Sequence, residues 1–165
     1  MLKTTNTLIF VFSLFWSGAV IGDEPNYKSF AIIDAEPTHQ EFIIASNDAM
    51  QFDLKSFEVS CGVKVRLTLK NVGSMPKIAM GHNLVILKKD MDALAFGKKV
   101  LASGGSATNP LPSSLLGEVL AYTKLLGPGE SHTIEFTAPN DAGDYEYVCT
   151  FPGHFAMMRG TMTVK

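Results

Sequence analysis

Residues 149–160 read CTFPGHFAMMRG and place a cysteine, a histidine and two methionines around a Pro-Gly turn. Cys149, His154 and Met158 follow a Cys-x4-His-x3-Met spacing, and Met157 lies one position short of it. Thiolate and thioether sulfur are soft metal ligands, and imidazole binds several transition metals. The segment is therefore either a metal-binding loop or ordinary core with a turn in it, and the surrounding chain has to decide between the two.

The segments around this loop alternate apolar and polar residues. VKVRLTLKN at 63–71 has valine and leucine on one face and mostly charged side chains on the other, and DYEYVCT at 144–150 runs directly into the loop. Alternation with a period of two predicts half-buried strands. Several such segments, separated by Gly, Pro and Asn turns, predict an all-β fold, a Greek-key β-sandwich or barrel.

One region departs from this alternation. Residues 90–121 contain DMDALAFGKKVLA and PLPSSLLGEVLA, in which Ala, Leu and Val recur at helical spacing. They predict an excursion of one or two short helices between strands, interrupted at Gly97, Gly104 and Gly105.

A second histidine lies upstream, in MPKIAMGHN at 75–83. His82 follows Gly81 and precedes the apolar run NLVILKK, which predicts a buried strand. If that strand neighbours the one ending at Cys149, His82 can meet the loop. A cysteine and two histidines with a weak axial methionine form a blue-copper site, whereas structural zinc sites take four strong ligands.

The two cysteines allow another interpretation. Exported proteins usually pair their cysteines, so Cys61 and Cys149 would form a disulfide and the fold would hold no metal. The N-terminus predicts export, because residues 1–22 combine a short basic region, an apolar run and small residues that fit cleavage after Gly22. Residues 23–40 then form an N-terminal extension. The alternative is a retained membrane anchor, but the apolar run is too short to span a bilayer, so we expect cleavage and no stable membrane insertion of the mature chain.

Charge excludes one class of partner. Charged residues make up 18% of the chain, and its lysines are scattered rather than clustered. Nothing therefore indicates nucleic-acid binding.

Four stretches carry a resemblance to a known family. MPKIAMGHN, CTFPGHFAMMRG, AYTKLLGPGE and NDAMQF resemble segments of azurins, small bacterial blue-copper proteins, and of the related auracyanins. The resemblance implies a cupredoxin-like domain at 41–165 with one type 1 copper ion. By position, the equatorial ligands would be His82, Cys149 and His154, the axial ligand Met158, and the carbonyl of Gly81 would approach from the opposite side.

The same resemblance implies a function. The protein would be a periplasmic or otherwise exported electron carrier and not an enzyme; a copper chaperone or scavenger with the same fold is the alternative. Redox partners such as c-type cytochromes or a reductase would dock on an apolar rim around the exposed ring edge of His154. The expected rim residues are Met50, Met80, Phe151, Pro152, Gly153 and Met157. Asn83 and Thr150 match family positions that join the two ligand segments.

The chain also departs from the family pattern. Azurins usually carry a disulfide, and Cys61 falls within one position of one half of it, but the other half falls near Gln40. Cys61 is therefore expected to be a lone, buried thiol unless it pairs between chains. The tryptophan of many azurins is replaced by Leu84, and their pH-responsive histidine aligns with Asn71. The two remaining histidines, His39 and His132, are expected to be solvated surface residues.

Overall fold

A computed structural model describes residues 39–165. The signal peptide expected at 1–22 and the extension up to residue 38 lie outside the described residues. Residues 39 and 40, which the sequence assigned to the extension, form the start of the first strand.

Within the described range, nine strands and a few short helices build the fold. The strands are β1 His39–Asn47, β2 Gln51–Phe52, β3 Ser56–Val59, β4 Lys64–Asn71, β5 Val85–Leu87, β6 Val119–Tyr122, β7 Ser131–Thr137, β8 Gly143–Val148 and β9 Arg159–Val164. The helices are α1 Lys77–Met80, α2 Ala93–Ala102 and two 3-10 helices, Ser113–Glu118 and His154–Ala156.

The strands form two open sheets, with the orders β2-β1-β4-β7 and β3-β9-β8-β5-β6. The pairs β1–β4 and β3–β9 are parallel, and the others are antiparallel. Both sheets keep edge strands, so the described residues form a sandwich rather than a closed barrel. The all-β prediction is confirmed.

The core follows from the alternation seen in the sequence. Val65, Leu67 and Leu69 of β4 face inward and belong to one apolar cluster with Ile86 and Tyr147 of the second sheet. Burying such side chains contributes about 1.5–3 kcal/mol each. This burial holds the two sheets together and fixes the register of β4.

A second apolar cluster lies under α2. Val85 and Leu87 of β5 pack with Phe96 and Val100 of the helix, so β5 is buried on both faces. The predicted helical excursion is confirmed, and Asp92 caps α2 by accepting a hydrogen bond from Ala95 N. The predicted interruption at Gly97 is wrong, because α2 runs through that residue.

Strand pairing brings together the two segments that carry His82 and Cys149. β5 pairs with β8 in the register Val85↔Val148. Because the two strands are antiparallel, the residues just before β5 and just after β8 lie at the same end of the sheet.

Among the described residues, no helix is long and apolar enough to cross a membrane.

Candidate metal centre

His82, Cys149 and His154 converge at one end of the sandwich. All three side chains are buried, and their potential ligand atoms lie within 4.8 Å of one another. The Sγ atom of Cys149 is 3.7 Å from Nδ1 of His154 and 4.0 Å from Nδ1 of His82. Both imidazoles therefore turn the same type of nitrogen toward a single sulfur.

The backbone N–H and carbonyl of His82 are both hydrogen-bonded to Leu126. Its N–H donates to the carbonyl of Leu126 at 3.0 Å, and its carbonyl accepts from Leu126 N at 2.7 Å. Gly81 precedes it at the end of α1, where a methyl group would lie 2.7 Å from the carbonyl oxygen of Lys77. Only glycine allows the chain to approach α1 so closely before it enters the site.

The loop after β8 is closed by its own hydrogen bonds. Cys149 N donates to the carbonyl of Met158 at 3.0 Å, and Met158 N donates to the carbonyl of His154 at 2.8 Å. Gly153 supplies the left-handed turn before His154, with a φ of 82°. These hydrogen bonds hold the backbones of Cys149, His154 and Met158 close together in space.

The two methionines differ sharply in exposure. Met158 is 0% exposed, whereas Met157 is 63% exposed. Met157 is therefore a surface residue, as expected of a rim residue, and Met158 is the methionine buried in the loop that carries Cys149 and His154.

Asn83 and Thr150 join the two segments that carry the candidate ligands, as the family resemblance implied. Asn83 Nδ2 donates to Thr150 Oγ1 at 2.8 Å, and Thr150 N donates to Asn83 Oδ1 at 2.8 Å. Each residue is adjacent to a member of the cluster and buried. Such contacts outside the ligand set orient the ligands and tune a bound metal.

Burial controls the charge of the site. Removal from water raises the pKa of the Cys149 thiol to about 12, with the backbone of Asn83 and Phe151 opposing the shift. Burial, and then the charge of His82, lower the pKa of His154 to about 4. Burial also lowers the pKa of His82, against the Asn47 backbone and the Asp48 carboxylate. Both imidazoles are therefore neutral near pH 7 and free to bind a metal.

This donor set suits copper. Two neutral nitrogen ligands and one sulfur ligand are present, and a bound cation would deprotonate the thiol. A methionine sulfur is a weak partner for these three, as in type 1 copper sites, whereas a closed structural zinc site needs a fourth strong ligand.

Cys61 differs from expectation. It is exposed rather than buried, because it lies in the turn between β3 and β4 and not on an inward-facing strand position. Cys149 is buried and both thiols are free, so the alternative of a Cys61–Cys149 disulfide is wrong. Gln40, which stands near the missing disulfide position, accepts a hydrogen bond from Ser60 N at 2.9 Å.

The other two histidines take no part in the cluster. His39 is exposed at the start of β1, as expected. His132 is half-buried, and its Nδ1 accepts from Lys124 N at 3.2 Å, so it is less solvated than the sequence predicted.

The expected apolar rim is only partly at the surface. Met157 and Gly153 are exposed, and Met50, Met80 and Pro152 are half-buried. Phe151 is 5% exposed and His154 only 3%, because the two rings pack against each other with centroids 4.6 Å apart. The prediction of a surface Phe151 is therefore wrong, and His154 is largely buried. Three exposed apolar residues in the segment before Gly81 were missed: Val72, Met75 and Ile78.

Sequence reasoning also missed a support behind His82. Asn71 Nδ2 donates to the Leu126 carbonyl at 3.2 Å, the same oxygen that accepts from His82 N. Asn71 Oδ1 accepts from Gly73 N at 2.9 Å. A pairing between segments so far apart along the chain leaves no periodic signal, so nothing in the sequence pointed to Leu126.

Comparisons with known proteins agree with this site. Residues 39–165 match the family described as copper binding proteins, plastocyanin/azurin family. The chain is 41% identical to azurin-2 of Alcaligenes xylosoxydans xylosoxydans over 125 residues, covering 74% of this chain and 95% of that protein. It is 43% identical to outer membrane protein H.8 of Neisseria gonorrhoeae over 124 residues, which is 73% of this chain but only 65% of that longer relative.

A solved structure has the same fold. Dithionite-reduced auracyanin from the photosynthetic bacterium Roseiflexus castenholzii superposes with a TM-score of 0.65 at 36% identity, covering 76% of this chain and 96% of that one. Family match, identity, fold and the buried His-Cys-His cluster agree, and the chain belongs to the plastocyanin/azurin family of copper-binding proteins.

Proposed function

We propose that this protein is an exported, one-electron carrier that holds a single type 1 copper ion. The proposed equatorial ligands are Nδ1 of His82, Sγ of Cys149 and Nδ1 of His154. Met158 would be the weak axial ligand, with the carbonyl of Gly81 on the opposite side. The observation that carries the proposal is the convergence of three buried donor atoms within 4.8 Å.

Copper in such a site supplies a one-electron couple between Cu(I) and Cu(II). The contribution of the chain is to hold the ligands in one geometry. The paired hydrogen bonds between Asn83 and Thr150 fix the two ligand segments against each other. The hydrogen bonds from Cys149 N to the Met158 carbonyl and from Met158 N to the His154 carbonyl restrict the loop that carries these three residues. A site that cannot rearrange has a small reorganisation barrier.

Burial supports a carrier rather than an enzyme. His82, Cys149, His154 and Met158 are each at most 3% exposed. Catalytic metal sites keep an open position for water or substrate. The enclosed cluster suits transfer of an electron to a partner that never touches the metal.

The docking surface for redox partners follows from where the loop reaches the solvent. Gly153 and Met157 flank His154 and are exposed. Exposed apolar surface marks interaction sites, and a small apolar contact area gives weak, quickly dissociating complexes. We infer that redox proteins such as c-type cytochromes or a reductase dock here, outside the cytoplasm, after removal of residues 1–22.

The same burial argues against the copper chaperone or scavenger, since a chaperone must present its ligands to an acceptor. The two functions differ in a measurement. Copper(II) is added to metal-free protein, and the visible spectrum and the cyclic voltammogram are recorded before and after addition of a competing chelator.

A carrier should develop an intense visible band, give a reversible one-electron wave and retain its copper against the chelator. Cys61→Ser should behave like the unmodified protein, and Cys149→Ser should lose the band. Rapid loss of copper to the chelator without a reversible wave would favour the chaperone. A visible band retained in Cys149→Ser would refute the ligand assignment.

A further inference from the structure

Helix α2 packs against the loop that carries His154, and Gly97 lies at this contact. Gly97 lies in the middle of α2, and Phe155 follows His154 in the 3-10 helix His154–Ala156. Both are buried, and Phe155 shares the second apolar cluster with Phe96 and Val100. We propose that Gly97 and Phe155 are positioning residues whose contact fixes the backbone of His154, and with it the imidazole, at the copper site. This inference rests on the proposed ligation by His154 and is independent of the electron-transfer role.

The backbone of α2 does not itself require a glycine. Gly97 has no positive φ and continues a regular helix, in which glycine is an unfavourable residue. The requirement is for space. A methyl group at position 97 would lie 2.2 Å from Cγ and 2.3 Å from Cβ of Phe155. Non-bonded carbon atoms prefer separations of about 3.5–4.0 Å.

The contact with Cβ is the decisive one. A change of χ1 would move Cγ and the ring of Phe155, but it would leave Cβ in place, because Cβ is bonded to the backbone. Relief of that contact therefore needs a shift of either the helix or the loop.

The helix is the better anchored of the two. Ala93 N at its start donates to Glu146 Oε2 of β8 at 2.6 Å, and Lys99 near its end lies 2.6 Å from Glu118 Oε1. Phe96 and Val100 are in addition buried against β5. The loop carries Phe155 between two residues with left-handed or irregular backbone, Gly153 and Met157. A larger residue at position 97 should therefore displace the loop.

Displacement of Phe155 reaches the proposed ligands directly. His154 is its chain neighbour, and the His154 carbonyl accepts from Met158 N. The His154 ring packs near the rings of Phe151 and His82, with centroid distances of 4.6 Å and 5.0 Å. A backbone shift at Phe155 would change the orientation of the imidazole and the position of Met158 together.

The test is a double-mutant cycle read at the metal. Gly97→Ala should lower the copper(II) affinity by about tenfold or more, the range found when residues supporting metal ligands are altered. It should also shift the visible band and the electron paramagnetic resonance spectrum. In a Phe155→Gly background, where Cβ and every atom beyond it are gone, Gly97→Ala should change the affinity by less than about twofold.

Gly117→Ala is the matched control, because a methyl group there would meet no atom within 4 Å. It should leave affinity and spectra unchanged. The proposal is refuted if Gly97→Ala alters only the stability to urea and leaves the metal spectra unchanged. An equal loss of affinity in the Phe155→Gly background refutes it too.

Two further measurements test the same contact between Gly97 and Phe155. If Gly97→Ala does not fold, Phe155→Leu replaces it and should shift the same spectra; unchanged spectra would contradict the proposal. If the unmodified chain binds no copper, the proposed function fails, and the contact is judged by the ring NMR signals of His154 in metal-free protein. Those signals should move in Gly97→Ala or Phe155→Leu but not in Gly117→Ala, and signals that stay in place would overturn the inference.

Discussion

Replacing Asn83 by leucine should destabilise the metal-free protein strongly. Leucine has the same branching and the same number of heavy side-chain atoms, but it removes both partners of Thr150: the acceptor for Thr150 N and the donor to Thr150 Oγ1, each at 2.8 Å. The backbone N–H and the hydroxyl of Thr150 are buried and each lose their partner, which lowers the free energy of unfolding by about 1–2 kcal/mol for each group. The expected loss is about 3 kcal/mol, which lowers the folding equilibrium constant on the order of 100-fold.

Thr150→Val isolates half of this effect. It removes the hydroxyl but keeps the hydrogen bond from the backbone N–H of residue 150 to Asn83, so we expect a loss of about 1–2 kcal/mol. Urea unfolding of metal-free protein, followed by circular dichroism, measures both changes, and Asn140→Leu at an exposed position should stay within about 0.5 kcal/mol. The reasoning is refuted if Asn83→Leu costs no more than Thr150→Val.

Four other outcomes follow from the site. In metal-free protein, Cys61 should react with a thiol reagent within the native fold and Cys149 only after unfolding, because the first is exposed and the second buried; a native protein without any reactive thiol would contradict this. The folded-state pKa of His154 is about 4, against an ordinary value of 6.5, so protonation of His154 favours the unfolded chain. The free energy of unfolding of the metal-free protein should be highest above pH 6.5 and should fall by up to about 3 kcal/mol as the pH falls to 4. Urea titrations of His154→Gln should show a flatter pH dependence, and an unchanged slope would exclude His154 as the cause. Met158→Leu should retain copper and raise the reduction potential in voltammetry, since a weak electron-donating contact is lost; a lower potential would argue against an axial role. Because Asn71 carries an amide that does not titrate, the potential should vary little between about pH 5 and 8, and a steep slope there would be the contrary result.

The local parts of the site could be predicted from the sequence. Cys149, His154 and Met158 lie within one loop, so their spacing carries the geometry directly. Strand alternation placed β4 and β8 correctly, because a period of two follows from having one buried face. The meeting of His82 with the loop depended on the pairing of β5 with β8, which the sequence allowed but did not require.

The errors concern contacts between distant segments. Gly97 looked like a helix breaker, yet it is needed for the close approach of Phe155, which a sequence pattern cannot display. Phe151 was expected at the surface because the family resemblance placed it on the apolar rim, but its ring packs on His154. Cys61 looked buried because it aligns near a disulfide position, although its turn faces the solvent.

X-ray absorption at the copper edge of the loaded protein tests the central claim most directly. We expect one short copper–sulfur distance and two copper–nitrogen distances typical of imidazole, with the sulfur contribution lost in Cys149→Ser and unchanged in Cys61→Ser. A first coordination shell of nitrogen and oxygen alone in the unmodified protein would contradict the account.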